Sequence, residues 1–224
     1  MHLEANRDLR ALVLGGTGDR AFCAGADLAQ RAVDASGATQ VGGDTFRPAF
    51  DQLLREIVAF PAPVIAAVNG AALGAGMQLA VACDLRVVAH NATFGIPAGR
   101  LGVLLSAVNV ERLVRAVGPT MARDVLLTAR VLDVEEAEAV NLVQRKADNA
   151  VVAARALADE IALLAPMSIA GHKLVLNRID DASSLCDDDR DLLAGLERAA
   201  FESADLQEGL AAFAEKRKPR FTGN

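Results

Sequence analysis

The chain has 224 residues, of which 52% are hydrophobic, which is enough to bury the core of one domain or of one domain with a small appendage. Its net charge of −6 argues against a general binder of nucleic acid or of anionic membranes. The sequence has no Trp or Tyr, so aromatic stacking is not a major mode of recognition. Its three cysteines are scattered without CxxC spacing, which fits a reduced, cytoplasmic setting.

Apolar segments alternate with helical patterns in the first half of the chain. Continuous apolar runs predict strands at residues 11–14, 64–68 and 85–89, and helical spacing predicts helices at residues 50–60 and 76–83. Strands of this kind between helices are typical of a mainly parallel sheet that is covered on both faces. The pattern therefore predicts the α/β fold class.

The longest apolar segment, residues 59–83, is not expected to cross a membrane. A transmembrane helix needs about 20 continuous apolar residues, whereas Pro61, Pro63 and several glycines interrupt this segment. A buried strand, a turn at Asn69 and Gly70, and a buried helix account for it better.

The second half is predicted to be almost entirely helical. Pro119 follows Gly118 at a position where a first helical turn tolerates proline. Asp133 and Glu136 have the spacing of a capping box. Further helices are expected at residues 148–166, 167–179, 185–201 and 205–217, and a polar loop is expected at residues 37–44.

Residues 16–21 match the pattern G-x-G-x-x-A that follows a strand in dinucleotide-binding proteins. In those proteins a helix begins at once, so that its N-terminus faces the pyrophosphate. Here Phe22 and the glycine-bearing residues 23–26 follow without helical spacing. No strand ending in an acidic residue comes at the expected distance, and we therefore expect no NAD site.

Two short segments rich in Gly and Ala are the most informative feature of the chain. They are residues 21–28, Ala-Phe-Cys-Ala-Gly-Ala-Asp-Leu, and residues 72–79, Ala-Leu-Gly-Ala-Gly-Met-Gln-Leu. Each follows an apolar run, and small residues at such bends let backbone N–H groups point at a ligand. Two converging N–H groups form an oxyanion hole, which polarises a carbonyl or stabilises an enolate. The alternative is a pair of glycine-rich strand ends with a structural role only.

Four ordered motifs resemble the crotonase (enoyl-CoA hydratase/isomerase) superfamily, across nearly the whole chain. The motifs are residues 22–28, 63–76, 83–88, and 203–209 with 213–221. The resemblance implies a crotonase-like (ClpP/crotonase) α/β core of ββα-type repeats at residues 1–165. It also implies a helical C-terminal region at residues 166–224 that drives assembly into a homotrimer or a dimer of trimers (a homohexamer).

The same resemblance implies a role in fatty acid metabolism, with a fatty acyl-CoA thioester as substrate or ligand, no separate cofactor and no metal. It assigns the backbone N–H groups of Ala26 and Ala75 to the oxyanion hole around the thioester oxygen. The dipole of the helix that begins beside Ala75 favours negative charge at that point. The residues implied to contact the ligand are Cys23, Ala24, Gly25, Ala26, Asp27, Leu28, Gly74, Ala75, Gly76, Lys218 and Phe221.

Two positions that are glutamates in hydratases of this family carry other residues here, namely Gln78 and Ala98. Glutamine cannot accept a proton near neutral pH, and alanine can neither accept nor donate one. The sequence therefore predicts an acyl-CoA binder with little hydratase activity. One alternative is an active isomerase, hydratase or other acyl-CoA enzyme that uses an unrecognised acid or base, and another is a degenerate structural paralogue.

The candidates for such an acid or base are Ser106, Asn109 and Glu111. Ser106 has no evident base partner, and at the start of an apolar helix its simplest role is that of a cap. Glu111 stands beside Arg112 and is most simply explained by a surface or intersubunit ion pair. The basic chain end at residues 216–220 is either a solvated helix end or a contact for coenzyme A phosphates.

The N-terminus differs from the family pattern. Family members usually carry two strands and a helix before the strand that corresponds to residues 11–14, and this chain has almost no room for them. We therefore expect shortened N-terminal strands, a reduced coenzyme A wall and an exposed sheet edge.

Overall fold

The computed structural model describes residues 9–27, 43–164, 166–181 and 202–220, together with the single residues 191, 195 and 198. The strands are β1 (Leu12–Gly15), β2 (Ala21–Cys23), β3 (Val64–Val68), β4 (Ala71–Leu73), β5 (Leu85–Ala89), β6 (Thr93–Gly95), β7 (Val131–Leu132) and β8 (Arg145–Ala147). The helices are α1 (Gly43–Ala59), α2 (Ala75–Ala82), α3 (Ala107–Thr128), α4 (Val134–Ala139), α5 (Ala150–Ala162), α6 (Pro166–Asp181) and α7 (Ala204–Ala214), with a 3₁₀ helix at Pro97–Arg100.

The strands form two sheets that the chain visits alternately. Sheet one has the order β1-β3-β5-β8 and is parallel throughout, and sheet two has the order β2-β4-β6-β7 with only β7 antiparallel. Each of the first three steps along the chain adds a strand to sheet one, a strand to sheet two and then a helix, whereas β7 of sheet two precedes α4 and β8 of sheet one follows it. This arrangement confirms the predicted α/β fold of ββα-type repeats.

Strand β3 shows why the sheet strands have continuous apolar sequences. All five of its residues are fully buried. Val64, Ala66 and Val68 pack into the larger core, which includes residues of sheet two and helices α1 to α3. Ile65 and Ala67 point to the other face and pack beneath α5. Because neighbouring side chains on a strand face opposite ways, both faces of sheet one are covered, as predicted.

Several element boundaries differ from the sequence-based expectations. Helix α1 begins at Gly43 instead of residue 50 and so includes the end of the expected loop at residues 37–44. Stacking of Phe46 on Phe50, with ring centroids 5.4 Å apart, extends the packed helix face towards its N-terminus. The remainder of that loop, and most of the expected helix at residues 185–201, lie outside the described residues.

Capping explains the changed ends of two other helices. Helix α5 begins at Ala150 and not at residue 148, because the Asn149 side chain accepts a hydrogen bond from the N–H of Val152 at 3.0 Å. Helix α7 ends at Ala214 instead of residue 217, since the chain turns to a φ of 53° at Lys216. The strands expected at residues 64–68 and 85–89 have these bounds, and the other described elements shift by one or two residues, except that α5 ends at Ala162 instead of residue 166.

Two predicted local signals are confirmed. Asp133 and Glu136 form a capping box at the start of α4, in which each side chain accepts a hydrogen bond from the other residue's backbone N–H. Helix α3 is broken at Gly118, which has a φ of 76°, and helical geometry resumes at Pro119.

The segment at residues 16–21 connects β1 to β2. The buried side chain of Asn69 donates to the carbonyl oxygens of Gly16 and Gly18, and its oxygen accepts from the N–H of Gly16 at 3.2 Å. A Cβ at Gly16 would lie 2.1 Å from the carbonyl oxygen of Ala21, so the turn requires glycine. No helix follows within residues 24–27.

The C-terminal helices pack on the core. Lys173 of α6 is buried, and its Nζ donates to Asp84 Oδ2 at 2.7 Å and to the carbonyl oxygen of Ala62 at 3.1 Å. Helix α7 lies so close to the chain after the 3₁₀ helix that a Cβ at Gly209 would be 2.5 Å from the carbonyl oxygen of Leu101.

Among the described helices, none combines the length and the apolar character that a membrane crossing requires.

Candidate functional site

A cavity of about 390 Å³ lies at the carboxyl ends of β2, β4 and β6. These strands are neighbours in sheet two, so the chain leaves all three at the same edge. The segment after β2 contributes Ala24 to Ala26, the end of β4 contributes Leu73 to Ala75, and the segment after β6 contributes Ile96 to Ala98. The edge of sheet two thus brings together three segments that are far apart in sequence.

The two Gly- and Ala-rich bends are positioned by glycines in backbone conformations that other residues rarely adopt. Gly25 has a φ of 112° and Gly74 a φ of 58°, and each immediately precedes one of the two alanines assigned to the oxyanion hole. The N–H of Gly74 donates to the carbonyl oxygen of Gly95 at 2.8 Å. This hydrogen bond ties the second bend to the end of β6.

The two bends touch each other. A Cβ added at Gly74 would lie 4.0 Å from the Cα of Gly25, and one added at Gly76 would lie only 1.9 Å from the carbonyl oxygen of Cys23. Since real Cβ atoms do not approach backbone oxygens so closely, Gly76 is required where the first turn of α2 crosses the end of β2. The pairing of the bends that the sequence suggested is therefore a real contact.

Five of the residues expected to contact the ligand line this cavity, and four others that are described do not. The lining residues are Ala24, Gly25, Ala26, Gly74 and Ala75, whereas Cys23, Asp27 and Gly76 lie away from it. Lys218 is exposed and also does not line it. Leu28 and Phe221 lie outside the described residues.

Ala75 is the first residue of α2, so its N–H has no hydrogen-bond partner within the helix. The positive end of the helix dipole adds to the attraction of this N–H for a negative oxygen. Ala26 is half-buried on the opposite bend and lines the same cavity.

Gln78 and Ala98, the two positions that the sequence singled out, both line the cavity. The Nε2 of Gln78 donates to the carbonyl oxygen of Gly74 at 3.3 Å, which folds this side chain back towards the second bend. Ala98 belongs to the 3₁₀ helix and is half-buried. Neither side chain can take up a proton near neutral pH.

Ser106 lines the cavity at the start of α3, and the expectation that it caps this helix is wrong. It occupies the N-cap position, but its hydroxyl makes no capping hydrogen bond. Its Oγ is buried and has no hydrogen-bond partner among the described residues. A buried hydroxyl without a partner loses its hydration, and this one is available to a ligand in the cavity.

Glu111 does not line the cavity. Its Oε1 accepts a hydrogen bond from Arg115 Nη2 at 2.6 Å, which is an ion pair one helical turn apart on α3. Arg100, at the end of the 3₁₀ helix, does line the cavity and is exposed.

One acidic residue of the cavity is absent from the sequence-based candidates. Asp51 lies on α1 and, within the described part of the chain, is the only acidic residue that lines the cavity. Its Oδ1 accepts a hydrogen bond from Asn109 Nδ2 at 2.9 Å. The only sequence signal is its place beside Phe50 on the apolar face of a helix, because no motif surrounds it.

Asn109 connects this carboxylate to a half-buried arginine. Its Oδ1 accepts a hydrogen bond from Arg112 Nη1 at 2.7 Å. Burial lowers the pKa of Arg112, and the negative charge of Asp51 opposes that shift. Asp51, Asn109 and Arg112 thus form a continuous polar row from the cavity into α3.

The remainder of the lining is largely apolar and comes from α1, the segment before α3, and α7. It comprises Phe46, Phe50, Leu101, Val103, Leu104, Leu105 and Phe213, with Arg47 at the edge of α1. Such a surface suits an apolar chain rather than a strongly polar ligand.

Within the described residues, no three His, Cys, Asp or Glu side chains lie close enough together to hold a metal ion. Burial raises the pKa of the Cys83 thiol to about 12, so that this group is not a nucleophile near neutral pH.

Comparison with known proteins identifies the family. Residues 1–224 match the family model described as enoyl-CoA hydratase/isomerase. The chain therefore belongs to the enoyl-CoA hydratase/isomerase family, within the crotonase superfamily, as the four motifs predicted.

The sequence similarity to known proteins extends over almost the whole chain. A putative enoyl-CoA hydratase of Thermus thermophilus is 40% identical over 227 residues, which cover 98% of this chain and 85% of that protein. Enoyl-CoA hydratase domain-containing protein 2 of Bos taurus, a mitochondrial protein, is 38% identical over 231 residues, covering 99% of this chain and 75% of that protein.

Solved structures share the fold. Methylmalonyl-CoA decarboxylase in complex with 2-nitronate-propionyl-CoA has a TM-score of 0.84 and 28% identity, covering 98% of this chain and 84% of that chain. Carnitinyl-CoA hydratase from Mycobacterium avium has a TM-score of 0.79 and 31% identity, covering 99% of this chain and 84% of that chain.

Proposed function

We propose that this protein binds a fatty acyl-CoA thioester, with the thioester oxygen between the backbone N–H groups of Ala26 and Ala75. The observation that carries the proposal is the contact of the two glycine-containing bends at one cavity. The unpaired first N–H of α2 supports it. So does the solved relative that is a complex with an acyl-CoA analogue.

The apolar wall of the cavity would accommodate the acyl chain. Phe50, Leu104 and Phe213 contribute to this wall from three separate elements. One backbone donor in an oxyanion hole is worth about 3 kcal/mol in a transition state, so the two amides favour any step that places negative charge on the thioester oxygen.

Hydration of a double bond is proposed to be slow in this protein. A hydratase must hold a water molecule and move its protons, and general acid–base groups contribute about 10²–10⁴-fold each. Gln78 and Ala98 line the cavity where the family glutamates would stand, and neither supplies such a group.

An active isomerase or other acyl-CoA enzyme is the second candidate function. The buried, unpaired hydroxyl of Ser106 in the cavity favours it, whereas the pairing of Glu111 with Arg115 outside the cavity does not. A degenerate paralogue without ligand is the third possibility, and a binding measurement separates it from the other two.

We also propose that the chain assembles into a homotrimer or a dimer of trimers through its C-terminal helical region. Leu174, Val175 and Leu176 of α6 are all more than half exposed, and consecutive exposed apolar residues favour an interface. Sedimentation equilibrium measures the assembled mass, and a monomeric mass would contradict this part of the proposal.

Isothermal titration calorimetry with butyryl-CoA tests the binding proposal. Binding of butyryl-CoA is expected to be tighter than binding of free coenzyme A, which lacks the thioester carbonyl. Equal affinity for the two, or no binding of butyryl-CoA, would contradict the proposed role of Ala26 and Ala75.

Restoring both glutamates tests the proposed cause of slow hydration. The double variant Gln78→Glu/Ala98→Glu should hydrate crotonyl-CoA at least about tenfold faster than the wild type, because it regains two acid–base groups. The loss of ultraviolet absorbance of the conjugated thioester measures this rate. Gln207→Glu/Ala139→Glu makes the same two changes at exposed sites and should leave the rate unchanged. Fast hydration by the wild type would contradict the proposal.

A further inference from the structure

Asp51 is a carboxylate on the wall of a largely apolar cavity. The residues of α1 that line the cavity are Phe46, Arg47, Phe50 and Asp51. They share one face of the helix, because Phe46 and Phe50, and likewise Arg47 and Asp51, are four residues apart. A carboxylate is costly to place on such a surface unless other groups stabilise it. The polar row through Asn109 provides that stabilisation.

The hydrogen bonds of Asn109 fix the orientation of its amide. A guanidinium can only donate hydrogen bonds, and an ionised carboxylate can only accept them. With Arg112 on one side and Asp51 on the other, the Oδ1 of Asn109 must face Arg112 and its Nδ2 must face Asp51, as the distances of 2.7 and 2.9 Å show. Asn109 is only 6% exposed, so this arrangement is held inside the protein.

The hydrogen bond from Asn109 uses one oxygen of the carboxylate. Among the described residues, Asp51 Oδ2 has no hydrogen-bond partner. Asp51 is therefore anchored through Oδ1 and keeps an oxygen that can accept a proton.

The other polar side chains on the cavity wall are poorer proton acceptors. Gln78 has no basic group near neutral pH, and the guanidinium groups of Arg47 and Arg100 only donate hydrogen bonds. Ser106 has a hydroxyl with no hydrogen-bond partner among the described residues, so no described base activates it.

We propose that Asp51 is the catalytic base of this cavity and removes a proton from the α-carbon of the bound acyl thioester. This inference rests on the proposed binding of the thioester oxygen by Ala26 and Ala75. The proton passes from the α-carbon to Asp51 Oδ2. The electron pair of the broken C–H bond forms the C=C bond of an enolate, and the carbonyl π pair moves onto the thioester oxygen between the two amides.

The protonated Asp51 then returns the proton to the same thioester. Return to the α-carbon regenerates the substrate, and return to the γ-carbon of a 3-enoyl thioester moves its double bond to the α,β position. Both outcomes balance without any co-reactant. The substrate class is therefore an acyl-CoA whose reaction begins with loss of an α-proton. Asn109 is a positioning residue, since it acts through Asp51.

Hydrogen–deuterium exchange at the α-carbon measures this step directly. Butyryl-CoA is incubated with the full-length protein in D₂O, and deuterium at its α-carbon is followed by mass spectrometry. Asp51→Asn should lower the exchange rate at least about 100-fold, because it removes the base. The new amide oxygen can still accept from Asn109, so we expect the variant to fold and to bind butyryl-CoA within about threefold of wild type. Asp159→Asn, an exposed change on α5, should exchange like the wild type.

The outcomes separate this inference from the proposed function. Wild-type binding without exchange would overturn the role of Asp51, and so would wild-type exchange by Asp51→Asn. Loss of exchange in Ser106→Ala but not in Asp51→Asn would assign the step to Ser106 and would also overturn it. If butyryl-CoA fails to bind the wild-type protein, the proposed function fails, and this inference falls with it.

Discussion

The cavity has two sides that are built in different ways. On the first side, residues 24–26 and 74–75 present mainly backbone, and we refer to them as the backbone corner. On the other side, side chains from four separate elements meet, and we refer to them as the side-chain wall. The side-chain wall consists of Asp51, Gln78, Ala98, Ser106 and Asn109.

The difference between the two sides concerns how the chemistry is encoded. The backbone corner depends on glycine conformations and on close contact between two backbone segments. A Cβ at Gly76, for example, would lie only 1.9 Å from the carbonyl oxygen of Cys23. Few substitutions are compatible with that geometry. The side-chain wall depends instead on side-chain chemistry, as in the hydrogen bond that Asp51 Oδ1 accepts from Asn109 Nδ2 at 2.9 Å. A substitution on this wall can therefore alter proton transfer while the backbone corner is kept.

The largest expected effect, on ligand binding and on stability, comes from a substitution that distorts the backbone corner. Gly76→Ala places a Cβ against the carbonyl oxygen of Cys23 and should force the two bends apart. We expect butyryl-CoA binding to weaken up to about 100-fold, since displaced bends lose two hydrogen bonds to the thioester oxygen, each worth up to about 1.5 kcal/mol. Overpacking should also lower the free energy of unfolding by about 1–3 kcal/mol. Calorimetry and urea denaturation measure the two effects.

The control for this substitution is Gly99→Ala in the neighbouring 3₁₀ helix. A Cβ at Gly99 meets no described atom within 4 Å, so binding and stability should stay close to wild type. Equal behaviour of the two variants would show that close contact between the bends is not what holds the ligand.

A smaller effect is expected from loosening the side-chain wall. Asn109→Ala removes the donor that orients Asp51 and leaves Arg112 Nη1 without its partner. We expect the α-proton exchange rate at saturating butyryl-CoA to fall about tenfold, because a base displaced by a fraction of an ångström transfers protons poorly. The concentration of butyryl-CoA that half-saturates the rate should change little, since the backbone corner is intact.

Asn91→Ala is the matched control, because Asn91 is exposed and its Nδ2 donates only to the carbonyl oxygen of Asp19 among the described residues. A rise in the half-saturating concentration with an unchanged rate in Asn109→Ala would mean that Asn109 binds substrate and does not position Asp51.

The smallest expected effect concerns α7, which contributes Phe213 to the cavity. Hydrogen bonds from the Arg217 guanidinium, and then from the N–H of Arg220, lower the pKa of Glu208 to about 2. Because this pKa is lower in the folded chain, the stabilisation is complete above the ordinary pKa of 4.5 and is lost as the pH falls to about 2. Glu208→Gln should lower the urea midpoint at neutral pH by about 0.2 M.

The pH dependence of the stability difference between wild type and variant distinguishes Glu208 from other carboxylates at the surface. The difference between wild type and Glu208→Gln should shrink as the pH is lowered from 6 towards about 2, as measured by urea denaturation. Glu202→Gln, an exposed change close by, should show no such dependence. A difference that stays constant with pH would exclude ionised Glu208 as the source of the stabilisation.

Much of the fold could be predicted from the sequence. The strand at residues 64–68 was evident because a strand buried on both faces has an uninterrupted apolar sequence. The capping box at Asp133 was evident because it depends on residues three apart. The start of α1 was not evident, since Gly43 and Pro48 resemble loop residues and only packing shows that the helix extends through them.

The sequence by itself determined the family and the two bends, because Gly and Ala at strand ends are local requirements of the backbone. It also identified Gln78 and Ala98, since each lies at a fixed distance from a motif. Only the tertiary structure decided which acid faces the cavity. Asp51 and Asn109 are 58 positions apart, and no local pattern connects them. They meet because α1 and α3 pack beside the same sheet edge, which is a consequence of the whole fold.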